Sequence, residues 1–418
     1  MENKKINSFQ QTELSIREPD TQSPNDGLLN NIKQNIFKWH RTIGLITITP
    51  VIFWCLSGLM HPFLSHWFKP EIARQVLETK VVDQQKTEIS IQDVLTKSHI
   101  DEFKSFRFVE WNGKTYYQVK LVDDEIRYYD TSHGNEIKNG DKLYAEFLAR
   151  YFLDDQKSIL KSIKLQTEFD QQYKYVNRLL PVWKVSFNRA DEMDVYVETS
   201  SSRLGTFNTT SRKVFLWAFD NFHNWSFINR VTNNTTRVTI MVIMLSVISL
   251  SALSGLLIYG LFWRRFGKLT NTHQKKGLRK YHRQIGIATA FITLTFGFSG
   301  GFHATRKLEP NRLPEMIFDP IIRVNDLQTS SLSLSIDDER FQNLSVVKKG
   351  KEYFFQVFYG DSEDKASETI YLNANDGSVW KNGDNEYAQY LGKKFLAALS
   401  DEKGLSGECC EEMGERRI

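Results

Sequence analysis

Residues 38–63 read KWHRTIGLITITPVIFWCLSGLMHPF, a short basic start followed by an apolar run without a charged side chain. Two further uncharged apolar runs occupy residues 238–263 and residues 285–304. A helix of about 20 apolar residues is long enough to cross the ~30 Å hydrocarbon core of a membrane. The sequence therefore predicts three membrane-spanning helices, because helices buried in soluble domains are rarely this long and this free of charge.

The chain repeats the start of this segment later. The motif KWHRTIG at residues 38–44 returns as KYHRQIG at residues 280–286, an offset of 242 residues. Further matches at this offset include Ser57-Gly58 with Ser299-Gly300, and His61 with His303. Self-similarity at a fixed period is typical of a structural unit that is used more than once. We therefore expect two copies of one unit, each led by a spanning helix.

An alternating pattern follows each repeated span. Residues 114–119 and 126–129 alternate as half-buried strands do, and residues 353–357 show the same pattern. Helical spacing of apolar residues follows at residues 143–152. These patterns predict small α+β modules, with Gly134 at a positive φ in the turn after the second strand.

The average composition excludes several classes of protein. The 418 residues are 41% hydrophobic and 25% charged, with 54 basic against 50 acidic side chains, so the net charge of +4 gives no reason to expect nucleic acid as a partner. Three cysteines cannot form a disulfide framework, and no Cys-x-x-Cys-His motif is present for covalent haem attachment. Motifs for nucleotide hydrolysis, dinucleotide binding, zinc proteolysis and a serine nucleophile are also absent from the sequence.

Basic residues predict the orientation in the membrane. Residues 264–283 read RRFGKLTNTHQKKGLRKYHR without an acidic residue, and Lys38 and Arg41 flank the first span. Short cytoplasmic loops are enriched in Lys and Arg. We therefore expect the N-terminus and residues 264–283 in the cytoplasm, and the long polar segments on the outer side.

These features resemble the PepSY-associated transmembrane family. The resemblance lies in His40-Arg41 ahead of an apolar helix, Ser57-Gly58 near its end, the Tyr-x-Asp-x-x-x-Gly turn at residues 128–134, and Phe222-His223-Asn224-Trp225 before the second span. It implies a multi-pass protein of the bacterial inner (cytoplasmic) membrane with extracytoplasmic PepSY modules. It also implies similarity to iron-regulated membrane proteins and haem-containing ferric-siderophore reductases.

The expected fold class is a membrane α-helical protein with extracytoplasmic α+β PepSY-like modules. The expected segments are a cytoplasmic tail (1–37), the first span (38–63), a PepSY-like region (64–235), the second span (236–263), a basic loop (264–283), the third span (284–304), a second PepSY-like module (305–400) and a divergent polar tail (401–418). The resemblance implies a fourth span, and the sequence has no apolar run for it after the second module.

Histidines are the candidate cofactor ligands. His40 and His61 are 21 residues apart, and His282 and His303 have the same spacing. This spacing puts each pair on one general face of a helix, about 31 Å apart along the axis and near opposite membrane boundaries. Neutral imidazole is an axial ligand of haem iron, and ionisable groups at membrane depth are functional candidates. His223, which precedes the second span, is the alternative outer ligand.

Two functions from different classes follow. The first is electron transfer by non-covalently bound haem b, ligated by these five histidines, from an unknown donor to a ferric chelate or siderophore outside. The second is a non-redox PepSY protein that binds or regulates an extracytoplasmic peptide, peptidase or ligand, with the histidines as interfacial anchors. A helix-end histidine beside Trp39 or Tyr281 fits either reading.

Overall fold

The computed structural model of the chain describes residues 24–66, 71–83, 87–264, 278–308, 318–336, 339–362 and 365–402. The chain divides into two compact units. We call Met1–Leu59 with Asn221–Pro310 the membrane unit, and Met60–Asp220 with Asn311–Ile418 the α+β unit.

The elements follow one another in a simple order along the described residues. The helices are α1 (Pro24–His66), α2 (Ile91–Lys97), α3 (Gly140–Leu153), α4 (Thr210–Phe222), α5 (Asn234–Leu261), α6 (Leu278–Arg306) and α7 (Gly383–Glu402). The strands are β1 (Glu102–Trp111), β2 (Lys114–Leu121), β3 (Ile126–Asp130), β4 (Ile159–Gln166), β5 (Val182–Asn188), β6 (Asp194–Glu198), β7 (Arg203–Asn208), β8 (Ile322–Arg323), β9 (Phe341–Lys349), β10 (Glu352–Tyr359) and β11 (Glu368–Asn373).

Three helices of the membrane unit are long and apolar enough to cross a bilayer. They are Asn30–Met60 within α1, Asn234–Leu261 and Tyr281–Arg306. The three predicted spans are therefore confirmed as apolar helices, and the chain is a multi-pass membrane protein. Helix α1 extends well beyond the predicted first span at its N-terminal end. The basic residues 265–277, on which the predicted orientation largely rests, lie outside the described residues.

The first module of the α+β unit is an antiparallel sheet with the order β3-β2-β1-β8. Strands β1 and β2 form a hairpin through Asn112-Gly113, and both residues have positive φ values. Asn-Gly is the preferred sequence for this kind of tight hairpin turn. Strand β1 was missing from the sequence prediction because a bulge between Phe103 and Ser105 breaks its alternation.

The turn after β3 has the predicted conformation, because Gly134 has a φ of +70°. In the second module Gly377 has a φ of +73° at the corresponding turn. Each following helix begins with a glycine that lies against a tyrosine ring. A Cβ added to Gly140 would come 2.8 Å from Tyr128, and this close approach requires glycine.

The two modules share one hydrophobic core. Strand β8, which belongs to the second predicted module, pairs with the start of β1 through Ile322 and Phe103. Asn343 of β9 accepts a hydrogen bond from the Phe108 N–H (2.8 Å) and donates one to the Phe108 carbonyl (3.1 Å). Buried Phe341 packs in one hydrophobic cluster with side chains from strands β1–β3 and from strands β9–β11. The α+β unit is thus continuous, although its two modules are far apart in sequence.

A third sheet, with the order β4-β5-β6-β7, covers the first module from another side. Helix α3 lies between this sheet and β3. Its apolar side chains on this side, which include Leu148 and Phe152, are fully buried there.

Candidate functional site

The second and third spans pack closely through small residues. A Cβ on Gly297 of α6 would lie 2.5 Å from the Ser249 Oγ of α5, and one on Gly300 would lie 3.5 Å from Leu245. Small residues allow helix backbones to approach each other in lipid. This contact positions α6, which carries His282 near its start, against α5.

Two of the predicted histidines meet in the membrane unit. The ring centres of His40 on α1 and His282 on α6 are 6.2 Å apart, and their planes are inclined by 49°. His40 is half-buried, whereas His282 is exposed within this chain. The motifs that are 242 residues apart in sequence therefore place their imidazoles side by side at one end of the helices.

Helix α5 supports the His40 ring. The Ser254 Oγ is 2.8 Å from His40 Nδ1, and Ser254 also donates a hydrogen bond to the Ser251 carbonyl at 2.8 Å. The next residue is Gly255, where an added Cβ would lie only 3.2 Å from His40 Cε1. The Ser-Gly pair thus supplies a hydrogen-bond partner and the space for the imidazole.

A second imidazole is held in the same way by α1. His223 lies between α4 and α5, and its Nδ1 is 3.0 Å from the Oγ of Ser57, which is buried. Ser57 donates a hydrogen bond to the Trp54 carbonyl at 3.2 Å. The Trp54 indole N–H in turn donates to the His223 carbonyl at 2.9 Å. Both the ring and the backbone of His223 are therefore fixed against α1.

Two stacked aromatic pairs join the segment around His223 to α1. Trp54 and Trp225 are stacked with ring centres 4.9 Å apart, and Phe53 and Phe222 are stacked at 5.4 Å. Ser57 and His40 are 17 positions apart on one continuous helix, which separates the two imidazole sites by about 25 Å along its axis.

The predicted pairing of His61 with His303 stays a prediction. His61 lies on α1, but its side chain is outside the part of the chain that the structure describes. His303 on α6 is exposed, with its ring centre 6.1 Å from that of Phe302. His223 is therefore the imidazole that the described residues enclose at the end opposite His40.

The donor set suits axial ligation. Among the described residues no group of three or more His, Cys, Asp or Glu side chains could hold a metal ion by itself. The His40–His282 pair offers two imidazoles and neither thiolate nor carboxylate, which is a ligand set of haem iron in electron-transfer proteins. The porphyrin supplies the remaining iron ligands in such sites.

The α+β unit contains a separate buried polar cluster. Asp141 at the start of α3 accepts hydrogen bonds from Trp183 (2.5 Å) and Tyr128 (2.8 Å). Burial raises the pKa of Asp141 above its ordinary value, although these donors oppose the effect. The carboxylate joins α3 to β3 and β5, so its partners explain it as a structural contact.

From the sequence, the Ser-Gly pairs at Ser57 and Ser254 are interpreted as small residues that let helices, or a porphyrin, approach closely. Their hydrogen bonds to His223 and His40 were missed, because each joins segments more than 160 residues apart. The recurrence of Ser-Gly at residues 57, 254 and 299 was the available signal.

Comparison with known proteins identifies the family. The model of the PepSY-associated TM region matches residues 37–313, about two thirds of the chain, including most of the first apolar helix, the second and third apolar helices, and strands β1–β7. No curated protein and no solved structure matches the chain. The match contains His40, His223 and His282 as well as both serines that contact imidazoles. The chain therefore belongs to the family defined by the PepSY-associated TM region.

Proposed function

We propose that this protein binds haem b non-covalently between His40 and His282 and conducts electrons through the membrane. The acceptor in this proposal is a ferric chelate or siderophore on the outer side of the bacterial inner membrane. The observation that carries the proposal is the 6.2 Å separation of the two imidazole ring centres.

This separation fits two imidazoles on opposite sides of one metal ion. A bond of about 2.0–2.1 Å from imidazole nitrogen to metal puts the two ring centres roughly 6.4 Å apart. The agreement supports His40 and His282 as the two residues that would hold the iron. Gly255 adds to the fit, because any larger residue there would press on the His40 ring.

The residues around the pair have definable tasks. His40 and His282 would hold the iron from two helices, and Ser254 orients the His40 ring. Within a bilayer the apolar helix faces would limit the access of water, and a dry, low-dielectric shell is one of the ways in which a protein tunes a haem. When bound, haem supplies a reversible one-electron couple, and the chain supplies its position and surroundings.

His223 is the ligand proposed for a second haem towards the opposite end of the helices. Its ring is held by Ser57, and stacked Trp54 and Trp225 lie beside it. His61 and His303 stay as the other candidate ligands at that end. Each ferric ion that is reduced takes up one electron and becomes ferrous, and one electron is lost by a reduced donor on the cytoplasmic side.

The finer features of the fold belong to the same proposal. We infer that the chain consists of two repeated units with PepSY-like modules outside the cytoplasm. Both modules contain a positive-φ glycine turn and a helix that starts with a glycine against a tyrosine, Gly140 with Tyr128 and Gly383 with Tyr371. These shared contacts support a common origin of the modules.

An absorption spectrum of the purified full-length protein tests this function. After expression with haem supplementation, we expect a Soret band and, on reduction, a sharp α band typical of two imidazole ligands. The double variant His40→Ala/His282→Ala should lose the part of this signal that comes from the haem at the His40 end, whereas His133→Ala, which alters an exposed histidine of the α+β unit, should keep the whole signal.

A folded but colourless wild-type protein would contradict the proposal and favour a non-redox binding protein. If haem is bound, ferric-chelate reduction by the pre-reduced protein, followed with a ferrous-specific chromophoric chelator, tests the acceptor. Retention of the reduced spectrum in the presence of the ferric chelate would contradict the reductase assignment.

A further inference from the structure

We propose that Ser254 and Ser57 are positioning residues that hold His40 and His223 in one tautomer, with the proton on Nδ1 and the lone pair on Nε2. That this Nε2 then binds haem iron rests on the proposed function. The hydrogen bonds that select the tautomer belong to the protein itself and can be tested without haem.

The assignment for His40 follows from the number of hydrogens available. A serine hydroxyl has one hydrogen to donate and lone pairs to accept, whereas a carbonyl oxygen only accepts. Ser254 lies 2.8 Å from the Ser251 carbonyl, so its hydrogen is used there. The 2.8 Å contact between Ser254 Oγ and His40 Nδ1 must then be made by an Nδ1–H donor.

The same count applies to His223. The Ser57 hydroxyl donates to the Trp54 carbonyl at 3.2 Å, so Ser57 Oγ accepts at its 3.0 Å contact with His223 Nδ1. Ser57 is only 4% exposed, so water does not offer its hydroxyl an easy alternative partner. Both imidazoles are thus assigned as Nδ1–H donors, and in the neutral ring the lone pair is then on Nε2.

The two contacts are arranged reciprocally. Helix α1 carries His40 and Ser57, and the chain around α5 carries Ser254 and His223. Each segment therefore supplies one histidine, and one serine that contacts the histidine of the other segment. Ser299, which corresponds to Ser57 in the sequence repeat, is exposed within this chain, so a Ser-Gly pair alone does not create the contact.

This arrangement has a chemical consequence for a ligated metal. An acceptor on the non-ligating N–H of a histidine fixes the ring and makes the other nitrogen a more basic ligand. A more basic ligand favours the ferric over the ferrous state, so these hydroxyls would lower the reduction potential of the haem. Their removal should raise that potential and weaken haem binding by about 10- to 100-fold.

The first test uses the haem-free full-length protein in lipid nanodiscs, with ¹⁵N-labelled histidine and solid-state NMR. His40 and His223 are assigned with His40→Gln and His223→Gln. In the wild type we expect a protonated Nδ1 and an unprotonated Nε2 for both residues. Ser254→Ala should abolish this preference at His40 only, and Ser57→Ala at His223 only.

Two further variants separate positioning from packing. Ser254→Thr keeps a hydroxyl that bonds back to the helix and should retain the wild-type tautomer. Ser246→Ala removes an exposed hydroxyl of α5 that donates a hydrogen bond to the Val242 carbonyl, and should leave both imidazoles unchanged. A wild-type Nε2–H tautomer, or equal effects of Ser254→Ala and Ser246→Ala, would overturn the proposal.

The second test uses the haem-loaded protein and measures midpoint potential and haem affinity. Ser254→Ala should raise the potential of the haem at His40, and Ser254→Thr should restore it. If the wild type has the expected tautomers but binds no haem, the positioning role stands and the proposed function fails. If haem binds but Ser254→Ala leaves tautomer and potential unchanged, the positioning role fails and the proposed function stands.

Discussion

The Nδ1 atom of His223 lies 3.0 Å from the Oγ of Ser57, although the two residues are 166 positions apart in sequence. The contact joins the segment before α5 to α1, and the Trp54 hydrogen bond to the His223 carbonyl reinforces it. His303, by contrast, is exposed on α6. His223 and His303 therefore differ in how firmly the protein holds their side chains, and this difference can be tested.

Ligand variants should separate the histidines. We expect His282→Ala to remove the haem at the His40 end, and His223→Ala to remove one at the other end, because His282 lies beside His40 and His223 is held by Ser57. His303→Ala should have a smaller effect. Haem-to-protein ratios and reduced spectra of the three variants are the measurement. An unchanged ratio in both His282→Ala and His223→Ala would refute the assignment of both residues.

Glycine 255 should be required for the His40 site. A side chain at Gly255 would collide with the imidazole, since even a Cβ would lie 3.2 Å from His40 Cε1. Gly255→Leu should therefore reduce haem binding by at least about tenfold, the size of effect seen when the support of a metal ligand is lost. Gly260→Leu is the matched control, because a Cβ at Gly260 of the same helix meets nothing within 4 Å. Equal haem content in the two variants would contradict the tight fit.

Reporter fusions should give the orientation. The basic residues 264–283 predict a cytoplasmic loop between α5 and α6. A fusion within this loop should be active with a cytoplasmic reporter, and fusions after Gly140 or Gly383 with an exported one. An exported signal from the loop would invert the orientation and the direction of the proposed electron flow.

The acid stability of the α+β unit should depend on Asp194. This buried carboxylate pairs with Lys213 (2.8 Å) and Lys184 (3.1 Å). Burial raises the pKa of Asp194, but hydrogen bonds from Lys213 and Ser186 and the lysine charges outweigh burial, so the pKa lies below its ordinary value. The stabilisation is thus present above the unfolded pKa of about 3.9 and is lost as the pH falls through the lower folded pKa.

Asp194→Asn should therefore destabilise the protein at pH 7, by about 2–3 kcal/mol, because two lysines lose their charged partner. The penalty should shrink as the pH falls below about 4, where the wild type loses the same interaction. Unfolding monitored by tryptophan fluorescence at several pH values measures this. Asp101→Asn, at an exposed position, serves as the control. A penalty that is independent of pH would show that the charge of Asp194 is not what stabilises the unit.

Asn343 should be needed to join the two modules. Its side chain bonds both the N–H and the carbonyl of Phe108, a buried residue of β1. Asn343→Ala leaves both backbone groups without this partner and should cost about 1–3 kcal/mol of stability. Hydrogen exchange at the Phe108 amide should accelerate, whereas Asn375→Ala in an exposed turn should leave it unchanged. Unaltered exchange in Asn343→Ala would mean that other contacts hold the modules together.

Local sequence patterns were sufficient for much of the fold. The three spans were predictable because a bilayer requires about 20 consecutive apolar residues, and each such run is one continuous stretch of the sequence. Strands β2, β3 and β10 were predictable from alternation, and the positive φ of Gly134 from its place in a turn. Strand β1 was not predicted because its bulge breaks the alternation. Strand β8 was not predicted because a strand of two residues shows no periodic pattern.

The candidate site likewise has some features that the sequence predicts and others that only the tertiary structure shows. The sequence by itself determined that imidazoles at residues 40 and 282 occupy the same place in two similar motifs, and that Ser-Gly occurs in each of the three spans. Only the tertiary structure decided that Ser254 lies against His40 and Ser57 against His223, while Ser299 remains exposed. A hydrogen bond between distant segments depends on how the helices pack and rotate, and that is set by contacts such as Gly297 against Ser249 that no local pattern encodes.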